Sequence, residues 1–196
     1  MKLIGIAGAL RQASTNKGML RAAHDLLPDG VELELADISD LPLYDMDLDP
    51  WGGGSGGAPN PHGVTEWPPA VARLREAVMA ADGLLIAVGV NNFSFPAPLS
   101  NALAWLSRPQ LEGEEKVRIL KGKTCALMSS GGGKAGADGR EAFATSIGGN
   151  GVTVIEASVD VQFFKGEFDA ETGDVTGDDL KGRIRELVHA LVTALS

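Results

Sequence analysis

Five short apolar segments alternate with five helical ones along the chain, and this predicts an α/β fold: a parallel sheet covered by helices on both faces. Two observations carry the prediction. The run 84–88 carries no polar side chain, and 125–128 is apolar at the centre of 123–130, as in strands buried on both faces. Each strand is followed by a segment with helical spacing, as parallel crossovers require.

The elements follow in order. "KLIGIAG" (2–8) reads as a strand, and residues 14–27 place Leu20, Ala23 and Leu27 on one helical face. "VELELAD" (31–37) alternates apolar and charged residues, so it predicts an edge strand exposed on one face. Residues 38–67 read as a loop. "PPAVARLREAVMAA" (68–81) is a helix whose prolines sit at its start, where no N–H is missed. A strand at 83–89 leads to a helix at 97–107. "KTCALMSS" (123–130) is the fourth strand, followed by a glycine-rich loop and a helix at 138–149. "GVTVIEASVD" (151–160) is the fifth. The last helix, 178–195, sets Leu180, Ile184, Leu187, Leu191 and Leu195 in one stripe.

Right-handed crossovers leave few orders for five parallel strands, and 2-1-3-4-5, the flavodoxin-like doubly wound order, is the natural one. A ligand then binds beyond the carboxyl ends of the strands, at the loops after strands one, three and four. The 196 residues suit a single domain. "PWGGGSGGAPNPHG" (50–63) has the composition of a flexible loop within it.

Composition narrows the function. The chain is 44% hydrophobic and 22% charged, with a net charge of −9, which argues against a partner bound through nucleic-acid phosphates. No apolar run approaches the roughly 20 residues that cross a bilayer. The start, "MKLIGIAGALR", lacks a long apolar core for export, so a cytoplasmic protein is expected. The single cysteine, Cys125, lies in an apolar strand pattern and reads as buried filler rather than a reactive thiol. His24, His62 and His189 are scattered with no cysteine companions, and no metal site is expected.

The three loops carry the chemistry. In "AGALRQASTNKGML" (7–20), Gly8 allows a sharp turn, Arg11 offers a cation, Ser14 and Thr15 offer hydroxyls, and Asn16 an amide. The N–H groups of the following helix open onto this loop, so it suits a phosphate monoester. The alternative is a well-capped helix start with a surface arginine. The Walker pattern fails, because Lys134 precedes Ala135 and Lys17 precedes Gly18; Gly5 and Gly8 do not make GxGxxG. A mononucleotide such as FMN is therefore expected.

The second loop lies in "GLLIAVGVNNFSFPAPLSNALAW" (83–105). The strand ends at Gly89, Val90, Asn91 and Asn92, without the Asn-Gly or Asp-Gly of a hairpin, and prolines lead into a helix. Asn91, Asn92 and Ser94 offer polar groups to a flat heteroaromatic ring, with Phe93 and Phe95 as walls; alternatively the asparagines make local turns and the aromatics pack inside. The third loop, "SSGGGKAGADGR" (129–140), offers Ser129, Ser130 and the close backbone approach of Gly131, Gly132 and Gly133; alternatively it is a bare connection.

These motifs resemble a family. "GALRQASTN" is similar to the phosphate loop G-S-L-R-x-x-S-x-N of the NAD(P)H-dependent FMN reductases, which include bacterial chromate and quinone reductases and plant-type NAD(P)H:quinone oxidoreductases. "NNFSFPAPLSNALAWLSRP" (91–109) resembles their Y-N-Y-S-x-x-x-P-L-K-N-A-I-D-W-x-S-R-P, and 129–140 their S-x-G-G-G-x-G-G-G-R with about two extra residues. Residues 168–187 resemble the C-terminal end of the plant-type enzymes.

The resemblance implies an FMN enzyme that passes two electrons from NAD(P)H through the flavin to a quinone, a flavin or a metal oxyanion, with no catalytic side chain. It implies that Arg11, Ser14 and Asn16 hold the phosphate, that Gly89, Val90, Asn91 and Asn92 follow the ring edge, and that Ser130, Gly131, Gly132 and Gly133 line the opposite side. It also implies a homodimer or homotetramer, for which Leu103, Trp105 and Leu106 are candidate contacts, Trp105 being equally suited to the core. Two departures stand out. Ala9 replaces the family's serine, and Gly89-Val90-Asn91-Asn92 replaces Pro-Glu-Tyr-Asn, which removes an aromatic neighbour of the flavin. Two other readings stay open: a flavodoxin-type electron carrier, which the acidic charge favours, and a relative with weak flavin affinity, which the substitution at Asn91 motivates.

Overall fold

The computed structural model describes residues 1–51, 60–112 and 115–196. The expected glycine-rich loop falls largely on residues outside these. Its two ends are described: Asn60 donates from its backbone N–H to Pro50 O (2.9 Å) and from its amide to Asp49 O (2.7 Å) and Asp47 O (3.0 Å). Asn60 is buried and closes the base of that segment, a role its composition did not signal.

Five strands form one parallel sheet: β1 (Lys2–Ala7), β2 (Glu32–Ala36), β3 (Gly83–Ala87), β6 (Thr124–Gly131) and β7 (Thr153–Gln162), in the order β2-β1-β3-β6-β7. Between β3 and β6 the chain inserts an antiparallel ribbon of β4 (Gln110–Glu112) and β5 (Glu115–Val117), which the sequence reading missed. With this ribbon set aside, the sheet has the expected flavodoxin-like order.

Burial on both faces explains the apolar runs, because successive side chains of one strand enter different cores. Leu3, Leu85, Ala87, Ala126 and Met128 join Met19, Leu20 and Ala23 of α1 (Thr15–Asp25) and Leu180, Ile184, Leu187 and Leu191 of α5 (Asp178–Leu195). Their neighbours Ile4, Ile6, Leu84, Ile86, Cys125 and Leu127 join α2 (Pro69–Ala80), α3 (Ala97–Leu106) and α4 (Ala137–Gly148) on the other face. At the edge, β2 buries Leu33 and exposes Glu32, Glu34 and Leu35. On the far side, Arg140 Nε of α4 donates to both carboxylate oxygens of Asp160 on β7, each at 2.9 Å.

The 38–67 segment is strapped across α3. Trp105 Nε1 and Asn101 Nδ2 both donate to Pro42 O (2.8 and 2.9 Å), and Tyr44 N donates to Asn101 Oδ1 (2.8 Å). A 3-10 turn, Met46–Leu48, follows. Trp105 and Leu106 are thereby buried within the chain, which removes them as candidate contacts between copies; Leu103 remains partly buried. Beneath the strap, the Arg75 guanidinium lies 4.1 Å from the centre of the Trp67 ring and donates to Trp105 O (2.7 Å) and Gln110 Oε1 (3.0 Å). Burial lowers its pKa to about 10, and the charge of Asp49 pulls it back up.

Cys125 is fully buried, as expected, and burial alone pushes its thiol from 9.0 to about 12. The native protein should therefore resist a thiol reagent at pH 8 and yield one equivalent on unfolding. The folded pKa is raised, so this thiol's contribution to stability is complete below about pH 9 and fades as pH climbs toward 12, where the unfolded chain ionises first. Denaturant titrations of the wild type and Cys125→Ala across that range measure it.

Candidate active site

The loops after β1, β3 and β6 meet at one edge of the sheet, as the strand order requires. In the first, Ser14 caps α1: its Oγ accepts from Lys17 N (3.5 Å), and its carbonyl accepts from Gly18 N (2.8 Å). Lys17 Nζ closes the loop onto Leu10 O (2.9 Å). Among the described residues, no acceptor meets the backbone N–H groups from Ala9 to Asn16. Arg11 is exposed beside them with no partner, and Thr15 is the first helical residue. Unclaimed donors at a helix start, beside an exposed guanidinium, are a donor set able to receive an anion.

Asn16 is committed elsewhere. Its Oδ1 accepts from Ser130 N (2.9 Å) and its Nδ2 donates to Ser130 O (3.1 Å). Asn16 is 7% exposed and Ser130 5%. The amide therefore bolts the first loop to the third. The hydroxyls of Ser129 and Ser130, both on β6, are enclosed and take no partner.

The second loop departs from expectation. Asn91 and Ser94 exchange two backbone hydrogen bonds (2.9 and 3.0 Å), with Asn92 and Phe93 between them at φ 50° and 62°. This is the two-residue turn of a hairpin, built without glycine. Phe93 is 85% exposed and walls nothing within the chain, while Phe95 packs edge-on against Phe143 at 5.3 Å. A left-handed Phe93 costs about 1–2 kcal/mol, so Phe93→Gly should stabilise the protein by about 1 kcal/mol in urea unfolding.

Glycines weld the loops together. Gly89 takes φ +76°, and a Cβ on Gly139 of α4 would stand 2.2 Å from Gly89 O. A Cβ on Gly131 would stand 2.6 Å from Val90 Cγ1. Gly133 faces open space, and Gly132 meets only Phe163 at 3.9 Å, so backbone is bare there. The end of β7 holds this bare stretch from the side: Phe163 N donates to Gly131 O (3.2 Å) and Gln162 Nε2 to Gly133 O (2.8 Å). Sequence reasoning passed over Gln162 and Phe163. The two aromatics after β7 in "VQFFK" were the available signal.

A cavity of about 720 Å3 opens beside this rim, between the strap and α3. Leu43, Tyr44 and Phe95 supply its apolar walls, Asn91, Asn92, Asn101, Ser94 and Ser100 its polar groups. Among the described residues, no charged side chain lines it.

Residues 1–164 match the family model described as NADPH-dependent FMN reductase. The chain belongs to this family. An NAD(P)H-dependent FMN reductase of Pseudomonas aeruginosa is 38% identical over 136 residues, which are 69% of this chain and 63% of the relative. An NADPH:quinone oxidoreductase of Arabidopsis thaliana is 36% identical over 139 residues, 69% of this chain and 61% of the relative. The matches thus span under two thirds of these relatives' own lengths. Among solved structures, the flavoenzyme NAD(P)H:(acceptor) oxidoreductase FerB of Paracoccus denitrificans superposes with a TM-score of 0.78 at 22% identity, covering 99% of this chain and 96% of that one. That likeness establishes the shared fold. Within this family, the chain leaves Arg11 exposed in its first loop and places Asn91 in a tight turn. Among the described residues, no helix is long and apolar enough to cross a membrane, and no group of three or more His, Cys, Asp or Glu is placed to hold a metal ion.

Proposed function

We propose that the protein binds FMN at this edge and is an NAD(P)H oxidoreductase acting on a quinone or a similar acceptor. The observation that carries the proposal is the unclaimed row of N–H groups from Ala9 to Asn16 beside a free Arg11, a donor set that fits a phosphate dianion. In this reading the backbone of the first loop, with Arg11, Ser14 and Thr15, receives the phosphate. Asn16 and Ser130 hold the loops in register. The backbone of Gly89, Val90, Asn91 and Asn92 meets one edge of the ring, and Gly131, Gly132 and Gly133 let it approach on the other side.

Bound FMN would supply the two-electron chemistry between NAD(P)H and the acceptor. The chain supplies placement. No side chain at the rim needs to move a proton, and the cavity beside Asn91 and Asn92 has amides to meet carbonyl oxygens and apolar walls for a ring. Its lack of charge favours a neutral quinone over a metal oxyanion. Association into a dimer or tetramer would use exposed residues near the site, such as Leu43 and Phe93, rather than Trp105 and Leu106. The cytoplasm, where reduced nicotinamide nucleotides circulate, suits this activity.

The test is a rate. Protein reconstituted with FMN should oxidise NADPH or NADH faster when a soluble benzoquinone is added. A flavin-loaded protein that no quinone accelerates would be a carrier or another kind of enzyme, and the proposal would fail.

A further inference from the structure

The family match ends at residue 164, yet the next segment leans directly on the phosphate loop. Phe168 and Val175 pair in a short hairpin, with Asp169 N donating to Asp174 O (2.8 Å) and Gly173 N to Asp169 O (2.9 Å). Val175 is buried in the core beside Met19 and Ala22. At the tip, Gly173 takes φ +72°, and a Cβ there would stand 2.8 Å from Ala13 O. The contact is mutual: a Cβ on Gly18 would stand 1.9 Å from Gly173 O. Two chain segments 155 residues apart thus meet backbone to backbone, at the residues that flank the Ser14 cap. A polar clamp locks them: Arg21 Nε donates to Asp174 Oδ1 (2.5 Å) and Arg21 Nη2 to Thr172 O (3.1 Å).

We propose that this hairpin is a positioning element for the phosphate loop, and that Gly173 with the Arg21–Asp174 clamp sets the affinity for the FMN phosphate. The inference rests on the FMN reading above. The hairpin touches Ala13, Ser14 and Gly18 but not the bare glycines where the ring would lie, so it acts on the phosphate end alone. A flavin without phosphate should not sense it.

The test compares FMN with riboflavin. Fluorescence titrations of the wild type, Gly173→Ala and Arg21→Gln should show FMN dissociation constants raised about tenfold in the variants, with riboflavin changed less than twofold. Hydrogen exchange on the flavin-free proteins should quicken at the Lys17 and Gly18 amides, which donate to Ser14. Circular dichroism identifies a variant that has not folded; if Gly173→Ala fails there, Arg21→Gln decides. Unchanged FMN affinity in a folded variant, or equal weakening of riboflavin, overturns the proposal. If the wild type binds neither flavin, the functional reading falls, and the exchange rates at Lys17 and Gly18 alone decide whether the hairpin positions the loop.

Discussion

Asn16→Ala is expected to destabilise the protein by about 2–4 kcal/mol and to abolish tight flavin binding. The estimate follows from the Ser130 peptide, whose N–H and carbonyl both bond to the Asn16 amide at a buried site. Each buried group left without a partner costs about 1–3 kcal/mol. Water can reach a widened gap there and recover part of the loss, so the sum stays below its upper limit. Function should suffer more than stability suggests, because the same amide fixes the anion loop relative to the glycine loop. Urea unfolding and FMN titration of one variant measure both. Thr15→Ala, one residue away and without such a partner, is the control: it should change stability by less than about 1 kcal/mol.

Arg75→Met should cost about 2–5 kcal/mol, since it removes a buried charge-assisted bond to Trp105 O, a cation over an indole ring and a positive charge that interacts with the buried Asp49. The Trp105 carbonyl then keeps only the long bond from Arg108 N (3.4 Å). In a chain of this size that loss corresponds to roughly 4–20 °C in melting temperature. The double variant Arg75→Met/Asp49→Asn should recover a substantial part, because the uncompensated charge is then gone. Calorimetry of the two single variants and the double gives the coupling directly. Equal melting temperatures for Arg75→Met and the double variant would show that the charge of Asp49 is immaterial.

Much of this molecule was legible from its sequence where local pattern and topology agree. The runs around Leu84 and Leu127 read as strands buried on both faces, and five strands in alternation with helices fixed the edge at which the three loops meet. The features that escaped are those made by distant partners. Nothing near Asn16 announces Ser130, 114 residues on, so the bonds by which this amide holds two loops together were not legible in the sequence. The β4–β5 ribbon consists of two three-residue strands with no alternating pattern to betray them. The turn at Asn92-Phe93 was hidden because an aromatic residue occupies a position where glycine is the usual signal. Strain of this kind, retained at the rim of a candidate site, is where sequence rules are expected to fail.

The same turn bears on the departure at Gly89-Val90-Asn91. The Pro-Glu-Tyr side chains that the family resemblance would place beside a flavin are missing, but Gly89 gives the chain its left-handed bend and its carbonyl is pressed against Gly139. Backbone groups at this edge are therefore held in place whatever the side chains are. On the proposed reading, FMN would be recognised by main-chain donors and by the first loop, which predicts a strong dependence on the phosphate and a weak one on the ring.

That dependence gives the most direct test. Purified protein, stripped of any flavin, should be titrated with FMN and with riboflavin while flavin fluorescence is followed. Saturation at one FMN per chain, with riboflavin bound at least tenfold more weakly, is the predicted result. No FMN binding, or equal affinity for the two flavins, would contradict the assignment of the Ala9–Asn16 loop as a phosphate site.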